Sequence, residues 1–289
     1  MEKRSITEMQ KDTWTTVIQP KNGWFDLHLT DLWRSRDLIM LFVWRDFVAI
    51  YKQTILGPLW FLLQPLFSTL VFTIVFSYIA RIPTDGLPQI LFYLSGIVVW
   101  QYFAGCLTKT SDTFIANTGM FGKVYFPRLA VPISIVLTYL LTLAIQLCLF
   151  IIIWLIYYAR GANIYFTTWI FALPLLVLQM AALGLGLGIL ISSMTTKYRD
   201  LNFVVGFGVQ LWMYATPIVY PMSQIPEKWQ WLFSLNPMAA IVEIFRLAFL
   251  GTGSVQLWQW GVSISVTAII LLTGIILFSR IEKTFMDTV

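Results

Sequence analysis

At 289 residues, the chain is 58% hydrophobic and only 11% charged, against about 25% charged for an average soluble domain. The 19 Lys and Arg exceed the 14 Asp and Glu to give a net charge of +5, but the basic residues sit in segments flanking apolar runs, which excludes a nucleic-acid-binding reading. Apolar runs of about twenty residues recur, and in lipid such runs satisfy their backbone as helices, so the composition specifies an all-α membrane protein.

The first fifty residues are charged and lack an early apolar core, so no cleavable signal peptide is expected. Residues 1–54 read as a cytoplasmic tail and an interface helix. Met1–Gly23 is polar. From Trp24 to Thr54, Trp33, Leu41 and Trp44 mix with Arg34, Arg36, Asp37, Arg45 and Asp46. That pattern suits an amphipathic helix in the membrane interface with its basic heads snorkelling toward phosphates; a soluble helix packed on a partner is the alternative. His28 lacks metal-ligand spacing and reads as a surface or interfacial histidine, and no metal site is expected.

Residues 55–280 read as a six-span domain. Span one covers about Ile55–Ala80 with Pro58 and Pro65 in its first half. Span two, about Gln89–Thr108, carries Ser95, Gly96, Ala104 and Gly105 for close helix approach. A polar loop, Lys109–Arg128, leads to an unusually long span three that starts near Pro127 and Pro132 and runs to about Tyr158. Span four, about Trp169–Ser192, contains Gly184 and Gly188 four residues apart, a small-residue packing signal. Span five is Leu201–Tyr220 and span six about Trp258–Phe278, followed by a cytoplasmic tail at 281–289. Cys106 and Cys148 fall in or near spans and read as small apolar packing residues.

Between spans five and six, residues 222–250 read as a re-entrant helical segment. Met238–Leu250 would make a helix roughly 20 Å long, too short for a hydrocarbon core of about 30 Å. It carries Glu243 and Arg246, spaced i, i+3 so that one turn can pair them and lower the cost of dipping into the outer leaflet. The expectation is a gate-stabilising pair; a surface amphipathic helix with a plain ion pair is the alternative. Orientation follows from the basic residues: with both termini cytoplasmic, fifteen of the 19 Lys and Arg fall inside, and a fully crossing Met238–Leu250 would move Arg280 and Lys283 outside.

The six spans as drawn contain no Asp, Glu, Lys, Arg or His. Proton-coupled carriers keep such residues in the membrane because they form the relay, so proton coupling is not expected. No nucleophile–base set is apparent, and no GxxxxGK[ST] phosphate loop is present. The chain therefore does not read as an enzyme and should bind no cofactor itself; a partner must supply the energy. Aromatic residues make up 16% of the chain. Many belong to an interfacial belt, but Phe67, Phe72 and Phe76 in span one and Phe203, Phe207, Trp212 and Tyr214 in span five lie deeper. Sugar rings pack their C–H faces on aromatic faces, so these residues are candidates to line a glycan path; packing or lipid-facing roles remain open from the residues alone.

Several blocks in fixed order, YRDLN, TPIVYP, IPEKWQWLFSLNP and the EIFR segment between Thr195 and Gly251, resemble the permease subunits of ABC exporters for lipid-linked polysaccharides, the O-antigen and teichoic-acid exporters. Weaker resemblance extends from RDFVAIYKQTILGPLW to the C-terminus. The resemblance implies a homodimeric permease in the bacterial cytoplasmic membrane whose first and fifth spans line the dimer channel. It also implies two copies of a separate ATPase subunit that carry the ATP and Mg, and a polyprenyl-pyrophosphate-linked polysaccharide as substrate. Candidate docking points for that partner are Arg45 and Asp46, Lys123 and Arg128 in the Lys109–Arg128 loop, and the turn of Lys197, Arg199 and Asp200; the alternative for each is a solvated, positive-inside loop. Other functional readings are export of a drug or small lipid and a membrane scaffold without transport.

Overall fold

A computed structural model describes residues 29–285, apart from residues 53, 122, 124, 125, 196, 197, 199 and 254. The polar segment before Trp24, His28, Lys197, Arg199 and residues 286–289 lie outside the described residues. The described elements are all helical: α1 (Leu29–Arg34), α2 (Arg36–Lys52), α3 (Trp60–Phe72), α4 (Gln89–Ser111), α5 (Thr113–Ala116), α6 (Thr118–Phe121), α7 (Ala130–Ala159), α8 (Leu173–Thr195), α9 (Leu201–Tyr214), α10 (Glu227–Ser234), α11 (Pro237–Leu250) and α12 (Leu257–Phe285). Short 3₁₀ turns precede α3 and α8, and a π segment, Thr73–Ile79, continues α3.

Among the described residues, five helical stretches are long and apolar enough to cross a membrane: Gly57–Ile79, Gln89–Ser111, Ala130–Ala159, Thr168–Thr195 and Leu257–Arg280. They correspond to spans one, two, three, four and six. Span five needs correction. Its helix stops at Tyr214 after 14 residues, about 21 Å of rise, and Ala215–Tyr220 continues in turns. The cause is Pro217, which lacks an N–H and biases Thr216 away from helical backbone.

The interior is built on α4. Every residue from Leu91 to Trp100 is buried. Helix α8 packs along α4 because its glycines remove side-chain bulk: a Cβ at Gly184 would lie 2.8 Å from Cys106 Cβ, and one at Gly188 would run into Thr110. The intervening Gly186 faces the other way, where a Cβ would lie 2.7 Å from Leu271 Cα on α12, and Gly274 of α12 abuts the Gly186 carbonyl in return. The LGLGLG run thus serves two helices on opposite faces, of which the four-residue spacing reveals one.

At one end of the bundle, α2 lies against α7, with Ile39 and Val43 on Ala130. Its opposite face leaves Met40, Leu41 and Trp44 exposed, as is Trp33 of the preceding α1.

The α10–α11 pair is bent by 101° and begins and finishes at the same end of the bundle. Before it, Ala215 O at the end of span five accepts from Asn236 Nδ2. Beside it, Pro237 O accepts from Ser263 Oγ near the start of α12, at 2.9 Å. After it, Phe249 O accepts from Trp154 Nε1 near the end of α7, at 2.7 Å. Both ends of the segment thus meet neighbouring helices at one end of the bundle, the arrangement expected of a re-entrant segment. It is also buried: from Pro237 to Leu250 only Leu247 has more than slight exposure, so the surface amphipathic alternative does not hold.

Candidate functional site

Two groups of residues form at opposite ends of the bundle. The first surrounds α11. Asn236 caps its N-terminus by accepting from Met238 N at 3.0 Å, with Pro237 at the first helical position, where a missing N–H costs nothing. The same side chain accepts from Trp212 Nε1 at 3.1 Å and donates to Ala215 O and Thr216 Oγ1. At the other end, the last carbonyls of α11, which no helical N–H can reach, receive Trp154 Nε1 at Phe249 O, Thr167 N at Ala248 O and Thr167 Oγ1 at Leu247 O. Gly251 then leaves the helix with φ of 74°, the left-handed cap that glycine adopts without penalty.

Midway along α11, Glu243 and Arg246 form an ion pair at 3.3 Å with side-chain exposures of 7% and 2%. All five guanidinium N–H groups have acceptors. Nη1 donates to Pro217 O at 2.6 Å and to Glu243 Oε1. Nη2 donates to Ile218 O at 2.9 Å and Phe92 O at 3.4 Å, and Nε donates to Ser95 Oγ at 3.4 Å. The guanidinium carbon lies 3.7 Å from the Phe92 ring centroid. The carbonyls left by the interruption at Pro217 are thereby answered by one side chain. Gly96 leaves room for it: a Cβ there would lie 2.9 Å from Ile218 Cγ2 and 3.2 Å from Arg246 Nη2. The pairing of Glu243 with Arg246 was legible from spacing. Its burial inside protein, with no lipid-facing side, was not.

The aromatic candidates divide. Phe67, Phe203, Phe207 and Tyr214 are exposed. Phe203, Phe207, Leu211 and Tyr214 repeat every three to four residues and so share one face of α9; all four are exposed. Phe72, Phe76 and Trp212 turn inward. Phe72 meets Phe76 and Tyr93 edge-on, and Trp212 meets Phe103 at 5.2 Å. These three are part of the packing between helices within one chain.

The second group lies at the opposite end, where α4, α8 and α12 finish. Thr195 Oγ1 donates to Ser111 O and Phe114 N to Ser192 Oγ, which fixes α8 to the segment after α4. A chain of rings, Phe42–Phe126–Phe121–Phe114–Phe278, joins α2, the Lys109–Arg128 loop and α12 with centroid separations from 4.7 to 5.9 Å. The structure therefore brings two coupling candidates together: α2 bearing Arg45 and Asp46, and the loop bearing Lys123 and Arg128. Arg45 pairs with Asp46 at 2.7 Å and stacks over Phe42 at 4.7 Å. Lys123 is exposed, whereas Arg128 is 3% exposed and lies 5.4 Å over the Phe121 ring. Asp200 is exposed in the turn before α9.

Asn236, Ser95, Trp154 and Thr167 were not among the sequence-derived candidates. Asn236 had a usable signal, an Asn-Pro pair opening an apolar helix. The others act through contacts across 80 residues or more, beyond any local pattern.

Residues 37–250 match the family described as ABC-2 type transporter. Similar curated proteins include the O-antigen export system permease protein RfbA of Klebsiella pneumoniae, 28% identical over 256 residues, 87% of this chain and 94% of that protein. The RfbA of Myxococcus xanthus is 27% identical over 222 residues, 76% of this chain and 82% of that protein. The polysialic acid transport protein KpsM of Escherichia coli is 24% identical over 194 residues, 67% of this chain and 73% of that protein. With five helices among the described residues long and apolar enough to cross a membrane, a short apolar sixth and a bent pair, this chain is a multi-pass protein of the cytoplasmic membrane and belongs to the ABC-2 type transporter family.

Proposed function

We propose that the chain is the membrane subunit of an ATP-driven exporter that moves a polyprenyl-pyrophosphate-linked polysaccharide, O antigen or similar, out of the cytoplasm. Two copies form the conduit, and two copies of a separate ATPase subunit bind ATP and Mg. The observation that carries this reading is the exposed aromatic face of α9, Phe203, Phe207 and Tyr214, together with exposed Phe67 on α3. Apposed across a two-fold axis, such faces give a passage that grips sugar rings by stacking without reading their sequence. The names of the curated relatives, which concern O antigen and polysialic acid, support a glycan cargo over a drug or small lipid.

In this reading the end bearing α2 and the Lys109–Arg128 loop is cytoplasmic, as are both termini. Arg45, Asp46, Lys123, Arg128, Lys197, Arg199 and Asp200 meet the ATPase there. The exposed apolar stripe of α1 and α2, Trp33, Met40, Leu41 and Trp44, faces the membrane interface. ATP binding pushes this end and parts spans one and five. Glu243 and Arg246 keep the gate in register by holding span five to the re-entrant helix.

The test is surface glycan in the host. Removing the gene should leave the polysaccharide inside the cell, and Phe67→Ala with Phe207→Ala should lower surface glycan with the assembled complex retained. Unchanged surface glycan after gene removal contradicts the reading.

A further inference from the structure

Pro65 lies inside α3 and is buried. A proline in a helix interior has no N–H for the carbonyl four residues earlier, and its ring crowds that carbonyl. The carbonyl in question belongs to Phe61. It is answered from another span: Gln146 Nε2 on α7 donates to Phe61 O at 3.3 Å and to Gln101 Oε1 of α4 at 2.9 Å. Gln146 is 3% exposed. Both its amide hydrogens therefore have acceptors, one of them the carbonyl that proline orphans. An amide in an apolar span is costly to place without such partners.

The same residue makes a second connection. The Phe61 ring stacks on Phe47 of α2, centroids 5.9 Å apart and planes 14° apart. Phe61 is thus where the N-terminal helix, span one and the α4–α7 pair meet. Its ring is attached to α2, its carbonyl to α7, and the helix beyond it lacks the hydrogen bond that would make it stiff.

We propose that the Phe61–Pro65 break is a hinge through which α2 steers span one, and that Gln146, oriented by Gln101, is the positioning residue that holds the hinge closed at rest. This rests on the reading in which α2 receives the ATPase and span one borders the glycan path. Movement of α2 would carry the Phe61 ring, weaken the contact with Gln146 and let the part of span one beyond Pro65 swing. Exposed Phe67 lies two residues past the break.

A double-mutant cycle of Gln146→Leu and Pro65→Ala tests this, read by thermal unfolding of the detergent-extracted chain and by surface glycan. Pro65→Ala supplies the missing N–H within the helix, so Gln146 becomes dispensable for the carbonyl. Gln146→Leu alone should lower the midpoint by about 2–4 °C; in the Pro65→Ala background the same change should lower it by less than half as much. Pro65→Ala alone should keep the midpoint at or above that of the natural chain while lowering surface glycan several-fold, because a straight, stiff span cannot swing. Equal midpoint losses in both backgrounds would overturn the assignment of Gln146 to the orphaned carbonyl. Natural export by Pro65→Ala would overturn the hinge. The thermal cycle uses no cargo, so it scores the Gln146 pairing independently of whether glycan is the substrate.

Discussion

Arg246 on α11 donates through Nη1 to the carbonyl of Pro217 at 2.6 Å, so the turn that follows the end of the α9 helix is held by a side chain nearly thirty positions later. Removing the guanidinium would leave Glu243 charged and buried, and breaking a buried pair from one side costs about 3–5 kcal/mol. Arg246→Met should therefore unfold at markedly lower temperature than the natural chain, and Glu243→Gln with Arg246→Met should recover part of the loss. Arg246→Lys should not rescue, since an ammonium offers three donors where five are in use. Thermal unfolding of the four proteins in detergent checks the order; equal stability of the single Met variant and the double variant would mean the pair carries no such coupling.

Asn236 unites the capping of α11 with the end of α9. Asn236→Ala should cost about 1–2 kcal/mol from the cap alone, plus the bonds to Trp212, Ala215 and Thr216. Asn236→Asp keeps the acceptor for Met238 N and loses the donors. It should fall between the two in unfolding temperature.

Much of this arrangement was legible in the sequence, for reasons that differ by element. Five of the long spans and the bent α10–α11 pair follow from run length, and the Glu243–Arg246 pair from a one-turn spacing. The end of span five was misread because Ala215–Tyr220 remains apolar after the helix stops; hydropathy registers the run, whereas Pro217 and the acceptors reached by Arg246 decide its geometry. Trp212 resembles its neighbours Phe207 and Tyr214 in composition, yet it turns inward because Asn236 offers its indole N–H an acceptor. Arg128 likewise reads as a loop cation but is covered against Phe121. In each case a long-range partner decided what local pattern left open.

The contrast between Lys123 and Arg128 gives a separable outcome. Lys123 is exposed, and substitutions at such positions usually change stability by no more than about 0.5 kcal/mol. Lys123→Glu should leave the unfolding temperature unchanged and reduce stimulation of the partner ATPase. Arg128→Ala should lower the unfolding temperature as well, because it uncovers the ring chain that joins α2 to α12. Loss of stability in Lys123→Glu, or none in Arg128→Ala, would reverse the assignment.

Gly186 separates α8 from α12 by less than a methyl group. Gly186→Ala should push the Leu271 backbone outward and cost about 1–3 kcal/mol by overpacking, seen as a lower unfolding temperature. Gly206→Ala on α9, where a Cβ meets nothing within 4 Å in the single chain, should be neutral or slightly stabilising.

The central claim is that the apolar body is a conduit and that a second polypeptide supplies the energy. Its most direct test is uptake of lipid-linked glycan into inverted vesicles containing this chain with or without its ATPase, in the presence of ATP or an imposed proton or sodium gradient. The account predicts glycan movement only with the ATPase and ATP together. Movement by this chain alone, driven by either gradient, would contradict it.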